Sequence, residues 1–399
     1  MIIPGHFHVF SEGRPVADLF KEKMMITVAD CSIPFVEESF SGFGPVVQTA
    51  GRALSRDKLT EADMLLVRSV TRVDEKLLRD TPVKFVGTAT IGIDHIDVGY
   101  LRQQGIGFAA APGSNAQSVA EYVVCALVSL CRALSLPLQG KTLGIIGHGN
   151  VGSRVAVKAQ ALGMRCLIND PPLQRTTGNK CYVPLDEVLQ KADAVTLHVP
   201  LTLSGQDATL SMANEAFFRR MKPGAIFINT SRGRVVSEAA LRACRKSLAG
   251  VILDVWENEP ALDARTLDEA DIATPHIAGY SFDGKVNGTR MIYKAACDFF
   301  GRPATWTGPS GCNNDTVVDV RESPDPVAHA LQSTYPLMDD DGMLRKISGQ
   351  ENKGAYFDHL RATYRRRLEF EHFVVQCSKH QSTEADMLEH LGFRVRREE

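Results

Sequence analysis

The chain has no apolar run near the roughly 18 residues that cross a membrane. Its most apolar stretch, Val123 to Cys131, has the length of a buried helix segment. It has no excess of positive charge: 45 Lys and Arg stand against 47 Asp and Glu, a formal net charge of -2. That balance argues against a nucleic-acid binder. It also gives no general attraction for an anionic ligand, so any such preference requires a local pocket. There is no Cys-x-x-Cys pair among nine scattered cysteines. An odd, dispersed set fits reduced thiols in a cytoplasmic protein better than a disulfide framework or a zinc site. No internal repeat or low-complexity tract is present. Residues 1–24 lack the basic start of a signal peptide and read as a disordered leader. The whole chain, 44% hydrophobic and 23% charged over 399 residues, is long enough for two or three globular domains.

The most informative stretch is Leu143-Gly144-Ile145-Ile146-Gly147-His148-Gly149-Asn150-Val151-Gly152. An apolar run that reads as a buried strand stops at Gly147, and a helical pattern follows from Ser153 to Leu162. Gly147 permits the tight turn, Gly149 lets the backbone approach a pyrophosphate, and Gly152 lets the helix pack close to the strand. The helix N–H groups then meet the phosphate charge. A second strand, Arg165 to Asp170, ends in an acid 18 residues past Gly152. That is near the spacing of a carboxylate that holds a ribose diol. Strand, glycines, helix, strand and acid in order predict a Rossmann-type dinucleotide site, with Asp170 favouring NAD over NADP.

Around this core the chain reads as α/β. Strands are expected at Ile26–Ala29, Met64–Val67, Phe85–Gly87 and Gly107–Ala110, with a helix at Asp74–Arg79. A long apolar helix, Ser118 to Leu134, leads to the glycine turn. Further strands are expected at Ala194–His198, Ala225–Asn229, Val251–Asp254 and Ile272–Ala273, then a helix at Ser281–Phe300 that returns to the first domain. Gly301–Pro326 reads as a linker. Beyond it, Met343–Ser348 and Glu371–Gln376 read as strands, Phe357–Phe370 as a charged helix and Arg365-Arg366-Arg367 as its solvated face. This last module is expected to pack against another subunit.

Ligands of open parallel sheets bind at the carboxyl ends of the strands. Three strand-end loops there carry Arg232, Glu259 and His276. Arg232 suits a substrate carboxylate through its forked donors. His276 suits removal of a hydroxyl proton. Glu259 suits holding that imidazole in one tautomer. In the first domain, Arg68-Ser69-Val70-Thr71-Arg72 follows a strand and suits an anion, with Arg68 the candidate phosphate ligand and Arg72 the solvated one. Thr88 and Thr90 follow the neighbouring strand. Asp94, His95 and Asp97 lack a fourth ligand at useful spacing, so no metal is expected. The bland alternatives are that Arg232 pairs a surface acid, His276 is a satisfied core residue, Glu259 is a loop acid and Asp254 caps a turn.

At the glycine turn, the Ser231-Arg232-Gly233 loop, the acid before Pro260 and the Pro275-His276 pair, the chain resembles the D-isomer-specific 2-hydroxyacid dehydrogenase family. The resemblance implies a Rossmann-type NAD-binding domain at 117–280 and a flavodoxin-like substrate domain at 25–116 and 281–305. A small α+β dimerisation domain at 306–399 sets a narrower branch apart, whose substrate is a phosphorylated hydroxy acid. By resemblance Arg232, Glu259 and His276 are catalytic. Gly147, Gly149, Asn150, Val151, Gly152, Asp170, Val199, Thr230, Ser231, Arg232, Asp254 and Gly279 meet NAD. Ser69, Thr90 and Tyr280 touch substrate, and the protein is a homodimer. Val199 departs from a threonine frequent in close relatives, which removes a hydroxyl from the cofactor side. The alternatives are another member of the family, such as a 3-phosphoglycerate dehydrogenase, or a non-catalytic dinucleotide-sensing corepressor on the same scaffold.

Overall fold

The computed structural model describes residues 24–309 and 316–398, in two compact units. The segment read as a leader lies, but for Met24, outside the described residues. Of the described residues, one unit comprises 24–115 and 282–309, the other 116–281 and 316–398.

The first unit is built on five parallel strands: β1 (Thr27–Asp30), β2 (Val46–Thr49), β3 (Met64–Val67), β4 (Phe85–Thr88) and β5 (Gly107–Ala109). Their order is β2-β1-β3-β4-β5, the flavodoxin-like order. β1, β3 and β4 are buried throughout, which is why they read as continuous apolar runs. β2 is a half-exposed edge strand, and its Val-Val-Gln-Thr sequence carries no alternation to betray it. The helix Phe282–Phe300 covers the sheet. Gly87 permits this contact, since a Cβ there would lie 3.3 Å from Ile292 Cβ. Phe40, Phe43, Tyr293 and Phe300 then fill one side in edge-to-face and stacked pairs.

The second unit holds six parallel strands: β6 (Thr142–Ile146), β7 (Arg165–Asn169), β8 (Ala194–Leu197), β9 (Ala225–Asn229), β10 (Leu248–Leu253) and β11 (Ile272–Ala273). The order β11-β10-β9-β8-β6-β7 reverses direction at β6, which pairs with both β7 and β8. That reversal opens the crevice in which such sheets bind ligands. The helix Ala116–Ala133 is long and apolar enough to cross a membrane by composition, yet 78% of that window is buried. It is the core helix of this unit, packed with Val155, Ala156 and Ala159 of the helix Asn150–Ala161.

Three further parallel strands, β12 (Thr316–Asp319), β13 (Phe373–Cys377) and β14 (Arg394–Arg397), belong to the same unit. β12 falls inside the stretch read as a linker. Three C-terminal readings are corrected. Met343–Ser348 is no strand: it spans the end of the helix Leu337–Arg345 and a 3-10 turn. The buried positions Leu337, Asp340, Asp341, Leu344 and Ile347 recur at helical spacing. The charged helix is Lys353–Ala362 and stops well short of Phe370. The Arg365–Arg367 run is solvated only in part: Arg365 and Arg366 are exposed, while Arg367 is buried. Beyond Thr363 the chain is not helical, and alternate residues reach partners: Arg365 on Asp340, Arg367 on Glu121, Glu369 on Ser281.

Arg367 is 4% exposed and Glu121 not at all. Their charges meet at 3.1 Å. The Phe370 N–H also bonds Glu121, the guanidinium donates to Ser118 Oγ, and it lies 4.4 Å from the Tyr335 ring centre. Removing one partner of such a pair leaves an uncompensated buried charge. Arg367→Ala is therefore expected to destabilise the chain by about 3–5 kcal/mol, read as a lower denaturant midpoint. A midpoint like that of an exposed-arginine variant such as Arg72→Ala would refute it.

Candidate active site

The glycine turn is built from close approaches. Gly147 has φ +90°, and a Cβ there would lie 2.5 Å from His198 O. At Gly152 a Cβ would lie 2.0 Å from Gly147 O, so the helix start is pressed onto the turn. At Gly149 a Cβ would meet nothing within 4 Å. The helix Asn150–Ala161 begins there with no side-chain cap, and uncapped N–H groups at a helix start suit a phosphate. Asp170 ties the turn to the next strand. Its carboxylate accepts from His148 N at 2.8 Å and from Leu173 N at 2.9 Å. Both bonds fix its orientation while leaving lone pairs for a ribose diol. Arg175, the residue that would offset Asp170 toward NADP, pairs with Asp207. Thr230 Oγ1 is buried without a hydrogen-bond partner. An open backbone approach, an uncapped helix start, an oriented acid and an unsatisfied hydroxyl all fit a dinucleotide.

The catalytic candidates lie on consecutive strand ends of this unit. Asn229 closes β9 and accepts from both the N–H and the hydroxyl of Ser231. Arg232 follows, half-buried, and then Gly233, where a Cβ would lie 1.8 Å from Trp256 O. Glycine at 233 is thus what lets the arginine loop lie flat on the loop after β10. Trp256 N donates to Glu259 Oε1 at 2.9 Å, and Trp256 Nε1 to Thr274 O at 3.0 Å. Glu259 Oε2 meets His276 Nδ1 at 2.7 Å. This chain of contacts brings Arg232, Glu259 and His276 into one neighbourhood. Burial alone would push the Glu259 carboxyl up. The charge and hydrogen bond of His276, the Trp256 N–H and the Arg361 charge outweigh it and hold Glu259 below the usual range.

His276 sits at φ +57°, a left-handed conformation uncommon outside glycine. Its surroundings impose it. His276 N donates to Asp254 O at 2.7 Å. The Asp254 carboxylate accepts from Thr274 Oγ1, Ile277 N and Ala278 N at 2.6, 2.8 and 3.0 Å. Asp254 is 1% exposed, and burial pushes its carboxyl up against those bonds. Its position makes it the clamp of the histidine loop. Val199 is half-buried against the core, Gly279 half-buried after the clamp, and Tyr280 half-buried beyond it.

In the first unit, β3 and β4 are adjacent, and Ala89 N donates to Val67 O at 3.0 Å. The Arg68 loop therefore lies beside the Thr88–Thr90 loop. Thr88 Oγ1 contacts both Thr90 Oγ1 (2.7 Å) and His95 Nε2 (3.0 Å). Asp97 caps the helix Val98–Gln103. Arg68 and Thr90 are half-buried and Ser69 is exposed, while Arg72 is exposed and pairs with Asp74. Sequence reasoning missed Lys285, whose amine is pushed down to about 8 by burial and by the neighbouring charge of Arg68. It is an isolated lysine at a helix start, and no local pattern marks it. Sequence reasoning also missed Trp256, whose two bonding roles are visible only in three dimensions.

A family model for the NAD binding domain of D-isomer specific 2-hydroxyacid dehydrogenase matches residues 124–278. The chain is 48% identical over 365 residues to erythronate-4-phosphate dehydrogenase of Salinibacter ruber, covering 87% of this chain and 93% of that one. It is 42% identical over 378 residues to the protein of that name from Salmonella arizonae, covering 92% and 98%. The D-lactate dehydrogenase of Aquifex aeolicus, solved with NAD and lactic acid, superposes with a TM-score of 0.60 at 28% identity, over 69% of this chain and 95% of that one. Fold and site define an NAD-dependent dehydrogenase of the D-isomer-specific 2-hydroxyacid class. The chain belongs, within that class, to the erythronate-4-phosphate dehydrogenase family.

The His276–Glu259 bond generates a test. Replacing His276 by Asn is expected to lower turnover by at least ~100-fold, the scale of general acid–base catalysis. NAD binding, followed by calorimetry, should persist. Full turnover in that variant would remove His276 from the chemistry.

Proposed function

We propose that the protein oxidises 4-phospho-D-erythronate to (R)-3-hydroxy-2-oxo-4-phosphooxybutanoate with NAD, as a step of pyridoxal 5'-phosphate (vitamin B6) biosynthesis in the cytoplasm. The observation that carries this reading is the 2.7 Å Glu259–His276 bond, in a chain that matches its erythronate-4-phosphate dehydrogenase relatives over nearly their whole length. Glu259 takes the Nδ1–H of His276, which leaves Nε2 as the base. Nε2 removes the proton of the substrate's 2-hydroxyl, and Glu259 stabilises the resulting imidazolium. Arg232 grips the carboxylate and polarises the forming carbonyl. Bound NAD supplies the hydride acceptor. Gly147, Gly149, Asn150, Val151 and Gly152 cradle its pyrophosphate and Asp170 its ribose. Val199, Thr230, Ser231 and Gly279 line the rest, and Asp254 acts by holding the histidine loop. Tyr280 touches the substrate.

We assign the phosphate to Arg68 and Lys285, with Ser69 and Thr90 orienting it. Two cations drawn together and partly buried favour a dianion. We also propose a homodimer through the C-terminal residues, where Val317, Met338 and Met343 stand exposed. A monomer mass by light scattering would refute it.

The experiment is NADH formation with a panel of phosphorylated and unphosphorylated 2-hydroxy acids. The expected preference is for 4-phosphoerythronate, and indifference to the phosphate would overturn the reading. Arg68→Ala should raise KM for the phosphorylated acid far more than for an unphosphorylated one. Equal loss on both would move Arg68 to the carboxylate end. As pH rises through about 8, Lys285 loses its proton. KM for the phosphorylated acid should then rise with pH while that for the unphosphorylated acid stays level.

A further inference from the structure

The helix Lys353–Ala362 carries a buried side, with Phe357 and Leu360 set into the core that holds Trp256. Asn352 caps its start by accepting from Ala355 N at 2.9 Å. Gly354 lies against the loop after Glu259, where a Cβ would come within 3.3 Å of Pro260 Cγ. The helix thus rests on the very loop that presents Glu259. At its other end the Arg361 guanidinium lies 5.5 Å from the ring centre of Tyr280 and 5.8 Å from that of Phe357. Tyr364, just past the helix, meets Tyr280 edge-on at 6.0 Å and 74°. Tyr364 is itself anchored by its hydroxyl on Asp340 at 3.0 Å. Arg361 is half-buried, and its Nε is buried without a hydrogen-bond partner.

We propose that Arg361 is a positioning residue of the dehydrogenase site: it fixes the Tyr280 ring by a cation–π contact and stands as a cation beside Glu259. The C-terminal residues thereby complete the catalytic unit. The inference rests on the reading that Tyr280 touches substrate and Glu259 supports His276. A cation within about 6 Å of a ring centre is attracted to the ring, the more so where water is excluded. A cation near a carboxylate also favours its ionised form, and Arg361 is among the groups that hold Glu259 down. The charged and titratable groups that bear on Glu259 are His276 from the loop after β11 and Arg361 from the C-terminal helix, and Glu257 lies on its own loop.

The test compares Arg361→Ala with Arg361→Lys in the full-length enzyme. It uses whichever 2-hydroxy acid the wild type oxidises best, so a wrong substrate assignment leaves it intact. Arg361→Ala is expected to raise substrate KM by about tenfold, the scale of a partly desolvated cation–π contact. It should also move the acid limb of the kcat/KM profile to higher pH, because Glu259 protonates more easily without the cation. NAD affinity should be unchanged. Arg361→Lys should keep the acid limb in place and lose only part of the KM effect. If melting shows that the alanine variant has lost its fold, Arg361→Gln takes its place. A neutral variant with wild-type KM and pH profile overturns the proposal, as does a lysine variant as impaired as the neutral one.

Discussion

The active-site geometry depends on one buried carboxylate. Asp254, at the end of β10, gathers Thr274, Ile277 and Ala278 from the neighbouring strand end, while its own carbonyl takes the His276 N–H. Those bonds surround the one residue of the loop held in a left-handed conformation. Strain of that kind persists only where the surroundings over-determine it. Burying an acid is unfavourable unless its oxygens are satisfied, and Asp254 satisfies three donors. The result is an imidazole whose Nδ1 is aimed at Glu259.

The C-terminal residues are joined to the same machinery by charge. Arg367 and Glu121 are both buried, and Glu121 lies on the core helix Ala116–Ala133. Ser118, on that helix, accepts from Arg367 and donates to Ala278 O at 2.7 Å. Ala278 is also held by Asp254. A route of direct bonds therefore runs from the C-terminal segment to the histidine loop. A buried ion pair is weak evidence of net stabilisation, since desolvation offsets much of the attraction. What it does supply is direction: an apolar contact could slide, whereas Arg367 must meet Glu121. That specificity explains why charged residues occur where the core of the unit would accept apolar ones.

The parts legible in the sequence are those whose physics is local. The glycine turn was readable because Gly147 and Gly152 answer contacts within a few residues or a single strand's width. The buried strands of both large sheets were readable as apolar runs, and Met64–Val67 and Ala225–Asn229 have the limits expected. Arg367 was misread as solvated because its partner is remote in sequence: Glu121 lies 246 residues away. β12 hid in a Gly- and Pro-rich stretch because its pairing partner, β13, comes more than fifty residues later. Asp254 read as either a cofactor ligand or a turn cap, and its bonds to Ile277 and Ala278, remote in sequence, show that it also holds the histidine loop. Lys285 could not be found at all, because what marks it is Arg68, at the far end of the first unit's sequence.

That last pair makes a general distinction concrete. In Arg367 and Glu121, opposite charges are buried together, and each relieves the other's desolvation. In Arg68 and Lys285, like charges share a half-buried place, and the net field at Lys285 works against its proton. The first arrangement is satisfied within the folded chain by itself. In the second, burial and the neighbouring charge both disfavour the charged form of the lysine. Perturbed lysines gather at functional sites for this reason. A chain of net charge -2 has no long-range field for anions, so the Arg68 and Lys285 neighbourhood is a local concentration of positive charge rather than part of a general one.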